Sequence, residues 1–271
     1  MVKRFFSIAL AALAVWLCAA SAFAELTVER NEGERYFPDE KNWVYHFVYA
    51  YPKILGDDYT AALINDTYQM ALDEMTNLVL PMFANTPDMR FDGKNEVNHD
   101  FTVACNNDKL LSIVQFRSQS MGNETVYSLE PLTFDVSGMY AGETLTLRGV
   151  ILIQAGVDPE RLEDVSAEEY PDIAHIIQGS SDSISEALMP ALYDLFRAHP
   201  SLSDSEMPSL EDFEIEFSPA RDFAAYKDSI AFYYPPMLAP EAYRNSTMVL
   251  LSPTEIEAIL AAVPASQNDA E

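Results

Sequence analysis

Basic residues are scarce in this sequence, as are cysteine and glycine. Only 16 of the 271 residues are lysine or arginine, against 43 acidic residues, so the formal net charge is −27. A chain this acidic repels nucleic acids and anionic lipid surfaces, and we expect neither as a partner. The charge suits a cationic envelope or extracellular protein, although it also serves simply to keep a secreted protein soluble.

The chain contains only two cysteines, Cys18 and Cys105, and nine glycines. Cys18 lies in an amino-terminal apolar run, and its removal would leave Cys105 without a disulfide partner. We therefore expect Cys105 to be a small buried hydrophobe rather than a reactive thiol. The scarcity of glycine agrees with the lack of a phosphate-binding loop, and no serine stands in a nucleophile elbow.

The histidines show none of the paired or clustered spacing that a metal site needs. They stand far apart, at His46, His99, His175 and His199. The sequence therefore predicts no metal site, no cofactor and no catalytic residues.

The first 24 residues are typical of a secretory signal peptide. Met1–Arg4 is a short basic stretch, Phe5–Ala20 is apolar, and Ala22-Phe23-Ala24 presents small residues at the positions that a signal peptidase reads. We expect cleavage before Glu25 and a periplasmic or secreted location. An uncleaved anchor is the alternative, because the run is nearly long enough to cross a bilayer. No later stretch is apolar enough to do so.

For the first half of the mature chain, the sequence predicts strands on either side of one helix. Leu26–Glu29 is a short possible edge strand, and the aromatic run Trp43–Tyr51 predicts a central one. One helical stripe then starts after a cap at Asp57 or Asp58 and ends near Pro81. It consists of Ile64, Tyr68, Ala71, Met75 and Leu78, and we expect it to be buried, so that Met75→Asp would cost several kcal/mol.

An antiparallel meander follows, because its connections are too short for parallel crossovers. Its strands are predicted at Val97–Ala104, Leu110–Arg117 and Thr125–Val136, with a short continuation at Thr144–Leu147. The asparagine-rich turn before Leu110 favours a hairpin between the first two strands.

A helical segment is predicted over about 158–199, with Pro190 kinking its last helix or marking that helix's first turn. Two strands, Phe213–Phe217 and Thr247–Leu251, and a helix with a capping box at Ser252 and Glu255 complete the chain. The fold class is α+β, an antiparallel sheet with helices packed on one side, and residues 25–271 form a single domain.

The stretch Ile230–Ala242 combines aromatic residues with three prolines. An aromatic strand is stopped where Pro235 begins, because proline cannot donate to a ladder. We expect Tyr233, Tyr234 and Tyr243, held on this stiff turn, to bind the ligand, since tyrosines so fixed lose little entropy on contact. The alternative is that they simply close the core.

Three groups of residues resemble the RsiV-like extracytoplasmic domain, which also precedes the deacetylase module of PdaC-type proteins. They are Tyr51–Gly56 with Ile64-Asn65, then Leu110–Ile113 with Leu132–Asp135, Gly138 and Leu145–Leu147, and finally Phe232–Pro235 with Leu238–Pro240. Pro236 departs from the tyrosine often found there, and the glycine usual after the Ala-Pro pair is missing around Tyr243–Asn245.

The resemblance implies an α+β domain outside the cytoplasm with a binding role, which in the anti-sigma members is the sensing of lysozyme. Because only Met1–Arg4 precede the apolar run and no deacetylase module follows, we expect the binding domain alone. The function is therefore predicted as non-enzymatic binding or sensing of a cationic protein or an envelope polymer. The alternative is a cell-envelope polysaccharide hydrolase, or a deacetylase-associated protein, with paired carboxylates such as Asp135 and Glu143.

Overall fold

The computed structural model describes residues 25–87, 93–122, 124–203, 207–238 and 247–263. The predicted signal peptide over residues 1–24 lies outside these ranges, and so does Tyr243.

A five-stranded sheet forms one half of the fold, with strand order β1-β2-β3-β4-β5. Its strands are β1 (Val28–Phe37), β2 (Tyr45–Ile54), β3 (Asn95–Asn106), β4 (Leu110–Met121) and β5 (Glu124–Asp135). All neighbours are antiparallel except β2 and β3, which run parallel. The meander from β3 to β5 is confirmed, and β1 proves longer than the short edge strand that the sequence indicates.

The β3–β4 hairpin is closed by Asn107, as its turn residues favour. The Asn107 amide donates to the Leu110 carbonyl at 2.9 Å. The side-chain oxygen of Asn107 accepts from the amide of Leu110 at 2.8 Å. These local bonds hold the two strand ends together, and Cys105 beside them is a free buried thiol, as expected.

The predicted helix is α1 (Tyr59–Glu74), and it makes the crossover between the parallel strands β2 and β3. Asp58 caps its first turn by accepting from the Ala61 amide at 2.8 Å. The expected end at Pro81 is wrong, because a π-helical turn (Met75–Val79) leads directly into α2 (Leu80–Asn85). Proline is tolerated in the first turn of α2, where its missing N–H is not needed.

The predicted stripe is buried only over its first half. Ile64 and Tyr68 are fully covered, but Ala71 and Met75 are only half-buried, and Leu78 is 60% exposed. The expectation that Leu78 packs against the sheet is therefore wrong. The wider turn rotates the chain, so a residue at α-helical spacing no longer falls on the same face.

A second sheet, which the sequence did not predict, covers the opposite face of the large sheet. Its antiparallel order is β6 (Phe223–Tyr226), β7 (Ser229–Tyr233) and β8 (Met248–Leu251). Val114 of the large sheet packs with Ala224, Ala231 and Tyr233 between the two sheets. The fold class α+β is confirmed, with this added layer.

The remaining helices surround a second core over the small sheet. They are α3 (Leu147–Gln154), α4 (Ala174–Gln178), α5 (Ser181–Arg197), α6 (Leu210–Glu216) and α7 (Pro253–Ala262). The helical segment thus starts before residue 158, and Pro190 lies inside a continuous α5. The capping box at Ser252 and Glu255 is confirmed.

Two predicted strands are wrong. Thr144 makes only an isolated bridge to Phe134, and Thr146 instead caps α3 through the Gly149 amide. The stretch predicted as a strand at Phe213–Phe217 is instead helical: α6 begins at Leu210 and ends at Glu216, and Phe217 is its C-cap. Phe213 and Phe217 are four residues apart, so a helix buries both, whereas Ile215 between them is 71% exposed.

Candidate functional site

The aromatic–proline turn, residues 234–238 of the stretch Ile230–Ala242, directly follows β7. The Tyr234 amide still donates to the Thr247 carbonyl at 2.9 Å, and pairing then stops at Pro235 and Pro236. The Leu238 amide closes the turn by donating to the carbonyl of Pro235 at 3.1 Å. The prolines therefore end the strand where the sequence predicts.

The two tyrosines of this turn lie in the core. Tyr234 is fully buried, with its ring centroid 5.3 Å from that of Phe196 and 5.9 Å from that of Phe213. Tyr233 is 5% exposed, and burial raises the pKa of its hydroxyl to about 12. This placement favours the interpretation in which the tyrosines close the core over that in which they reach out to a partner.

The same residues form the wall of a groove of about 260 Å³ between β5 and the turn. We call it the turn groove. It is lined by Tyr127, Ser128, Leu129, Pro131, Glu216, Arg221, Asp222, Tyr233, Tyr234, Pro235, Pro236 and Met237. Met237 is 59% exposed and supplies the apolar surface that a partner would meet first.

Charge at the rim of the turn groove is partly neutralised within it. The Arg221 guanidinium donates to both oxygens of Asp222, at 2.8 and 2.7 Å, and these hydrogen bonds raise the pKa of Arg221. The Ser218 amide also donates to Asp222 at 2.8 Å. The charges of Arg221 and Asp222 cancel each other. The remaining charge, that of Glu216, makes the rim net negative.

Helix α6 extends this negative rim. Four of its seven residues are acidic, namely Glu211, Asp212, Glu214 and Glu216. Beside them Ile215 is 71% exposed. An apolar groove next to an acidic helix is a surface suited to a cationic protein.

The pair Asp135 and Glu143 is brought together through the backbone, where the Asp135 amide donates to the Glu143 carbonyl at 3.1 Å. Asp135 is fully buried, and its side chain accepts from the amides of Ser137 and Gly138 at 3.0 and 2.9 Å. A Cβ at Gly138 would lie 2.5 Å from the other Asp135 oxygen. Oδ1 of this carboxylate thus holds a tight loop, and Oδ2 is buried without a hydrogen-bond partner among the described residues.

The described histidines bind separate partners. His46 lies 3.0 Å from Glu34, and His175 lies 2.6 Å from Glu257. Within the described ranges, no three His, Cys, Asp or Glu side chains are grouped closely enough to hold a metal ion.

Sequence reasoning missed a polar cluster on the face of the large sheet that α1 covers. Arg117 donates to the Gln115 side-chain oxygen at 2.8 Å and pairs with Glu130. Nearby, the Tyr51 hydroxyl lies 2.7 Å from His99 Nδ1. Burial and, secondarily, Arg117 lower the pKa of His99 to about 3, and burial raises that of Tyr51 to about 12. Both are therefore neutral at physiological pH.

The sequence did carry a signal for this cluster. Along β4 the residues facing α1 change from Leu111 and Ile113 to Gln115 and Arg117, so an apolar alternation continues with polar side chains.

Of the residues that the structure describes, none belongs to a helix both long and apolar enough to span a bilayer.

The chain is similar to two solved structures of DUF3298 family proteins. One, from Bacteroides fragilis NCTC 9343, is 15% identical with a TM-score of 0.42, covering 84% of this chain and 90% of that one. The other, from Pseudomonas aeruginosa PAO1, is 15% identical with a TM-score of 0.44, covering 84% and 89%. No family model and no curated protein matches the sequence. This similarity assigns no function to the chain.

Proposed function

We propose that this chain is an extracytoplasmic, non-enzymatic binding domain of the cell envelope that captures a cationic protein at the turn groove. The observation that carries the proposal is the groove itself, whose accessible apolar side chains, Tyr127, Leu129 and Met237, lie beside the acidic helix α6. A basic partner would be drawn by the carboxylates and would bury apolar side chains in the groove.

Three further features support this proposal. The leader-like residues 1–24 indicate export, and the formal charge of −27 favours encounter with basic proteins. The sequence resemblance to RsiV-like domains suggests a lysozyme-like protein as the partner. Finally, the Asp135 carboxylate is fully buried, out of reach of a polymer substrate, which favours binding over hydrolysis.

The test is association of the purified protein with lysozyme, measured by biolayer interferometry. We expect the double variant Glu214→Lys/Glu216→Lys to slow association about tenfold at low salt, because rim charges act mainly on encounter. Raising the salt from about 50 to about 500 mM should have a similar effect on the unchanged protein. Met237→Ala should shorten the lifetime of the complex, since Met237 is the exposed apolar contact of the groove.

Glu29→Lys is the control matched to the single variant Glu214→Lys, because both make the same charge change and Glu29 lies on β1, at the sheet edge opposite β5. It should slow association much less than Glu214→Lys does. Absence of lysozyme binding, or binding that ignores α6, Met237 and salt alike, would contradict the proposal.

A further inference from the structure

A second cleft, of about 470 Å³, lies between α1 with its π-helical turn and the covered face of β4 and β5. Its lining residues are Thr67, Tyr68, Met70, Ala71, Glu74, Leu78, Gln115, Arg117, Glu130 and Leu132. Its volume falls within the roughly 300–1,000 Å³ of small-molecule sites. None of these residues lines the turn groove, although another cleft shares Arg117 and Glu130 with this one and Arg221 with the turn groove.

Three buried polar atoms in this cleft have no partner among the described residues, namely the Tyr68 hydroxyl, Gln115 Nε2 and Arg117 Nε. A fourth buried atom without a hydrogen bond, Glu130 Oε2, is ion-paired with Arg117. Tyr68 is 2% exposed and Gln115 is 1% exposed, so these two side chains are built into the protein rather than extended from its surface. Buried polar groups are nearly always bonded, and three together indicate that something other than the protein chain bonds them.

The chemistry of these atoms restricts the ligand. Gln115 Nε2 and Arg117 Nε only donate, so the ligand must offer acceptors, which a bare metal ion lacks. Arg117 is paired with Glu130, and Glu74 adds a further negative charge at the lining, so an anion would meet a net negative site. An uncharged ligand with several acceptor atoms suits this lining best.

The mouth of the cleft is apolar. Met70 is 71% exposed, and Leu78 is 60% exposed because the π-helical turn directs it away from the core. Insertions of this kind occur frequently at functional sites. A ligand at this position would place C–H groups against Met70 and Leu78 and oxygen atoms against the buried donors.

We propose that this cleft binds an uncharged saccharide. A sugar ring has weakly polar C–H faces together with hydroxyl and, in N-acetylated sugars, amide oxygens. The ring faces would contact Met70 and Leu78, while the oxygens would accept from Tyr68, Gln115 and Arg117. Hydroxyl groups of the sugar would in turn donate to the Glu130 carboxylate.

The test is a calorimetric titration of the protein alone with N,N′-diacetylchitobiose and with methyl glucoside, both uncharged. We expect at least one to bind, and Tyr68→Phe to weaken it about five- to tenfold, as expected for the loss of one hydrogen bond. Because the Tyr68 hydroxyl has no protein partner, the melting temperature of Tyr68→Phe should stay unchanged. Leu78→Ala should weaken binding without affecting folding.

Tyr59→Phe is the matched control, since it removes a hydroxyl from the same helix at a residue that is 75% exposed and lies outside the cleft. It should leave the titration unchanged. No binding of either sugar would overturn the proposal and leave water as the partner of the buried donors. Binding unaffected by Tyr68→Phe, or binding of acetate or phosphate in place of the sugars, would overturn it as well.

Lysozyme is left out of this titration because it binds such sugars itself. The outcome is therefore independent of the turn groove, and either site can fail without the other.

Discussion

The two halves of the molecule both bury tyrosines, but the side chains packed around the tyrosine rings differ. Under α1, Tyr51 bonds to His99, and Tyr68 directs its hydroxyl toward a polar cleft. Over the small sheet, Tyr234 packs its ring against Phe196 and Phe213 in a core of apolar side chains. Both arrangements remove the ring from water.

This difference shows that aromatic enrichment in a sequence does not distinguish a binding surface from a core. The turn at Pro235 has the composition expected of an interface, yet its tyrosines are covered. The cleft under α1 has no such composition, yet it contains buried polar atoms without protein partners. The surroundings of the polar atom carry the functional information, and the following substitutions test this contrast.

The largest effect is expected for Tyr234→Ala. Removing a fully buried aromatic ring between Phe196 and Phe213 leaves a cavity and should cost about 3–5 kcal/mol, the range for truncated core aromatics. Urea unfolding measures this loss. Tyr59→Ala, at an exposed tyrosine, should change stability by less than about 0.5 kcal/mol. Near-equal stabilities of the two variants would place Tyr234 outside the core.

The second-largest effect is the loss of folding stability in acid that His99 causes. Because the pKa of folded His99 is about 3 and that of the unfolded residue is near 6.5, the unfolded chain binds the proton first as the pH falls. The stabilisation is thus complete above about pH 6.5 and is lost as the pH approaches 3. We expect a loss of about 3 kcal/mol between pH 7 and pH 4 from this residue.

His99→Gln isolates this contribution, because the variant keeps the carboxylates that also titrate in acid. Its free energy of unfolding should fall less steeply than that of the unchanged protein over the same pH range. Parallel curves would show that folding does not lower the pKa of His99.

A smaller effect is now expected for Met75→Asp than the sequence indicated. Met75 is half-buried at the start of the π-helical turn, so an aspartate there keeps contact with water. We expect a cost of about 1–2 kcal/mol in thermal unfolding, against a much larger one for Ile64→Asp at a fully buried position. Equal losses at the two positions would mean that the π-helical turn is not formed.

The smallest effect is the difference in stability between two variants that each lose a hydroxyl group on the same side of the sheet. Tyr51→Phe removes a buried hydrogen bond to His99 and should cost about 1 kcal/mol. Tyr68→Phe removes a hydroxyl without a protein partner and should be neutral or slightly stabilising. Differential scanning calorimetry of the two variants tests this order, and a greater loss for Tyr68→Phe would show that its hydroxyl has a partner within the protein.

The sequence predicted the elements whose signals are local. Asp58 and Ser252 cap helices, Asn107 closes a hairpin, and the alternating strands β3 to β5 follow one another with short turns. In each case the deciding hydrogen bonds or contacts lie within a few residues, so the pattern is complete in the sequence itself. The mistaken strand at Phe213–Phe217 arose because both strand and helix would bury its two phenylalanines.

Only the tertiary structure decided where the sites lie. The cleft combines Tyr68 from α1, Gln115 from β4 and Glu130 from β5, and the strand register places the last two opposite each other. The turn groove likewise joins β5 to a turn about a hundred residues later in the chain. Tyr234 is buried because helices from distant segments pack on it, and Leu78 is exposed because it lies in a π-helical turn. Periodicity along the chain predicts neither outcome.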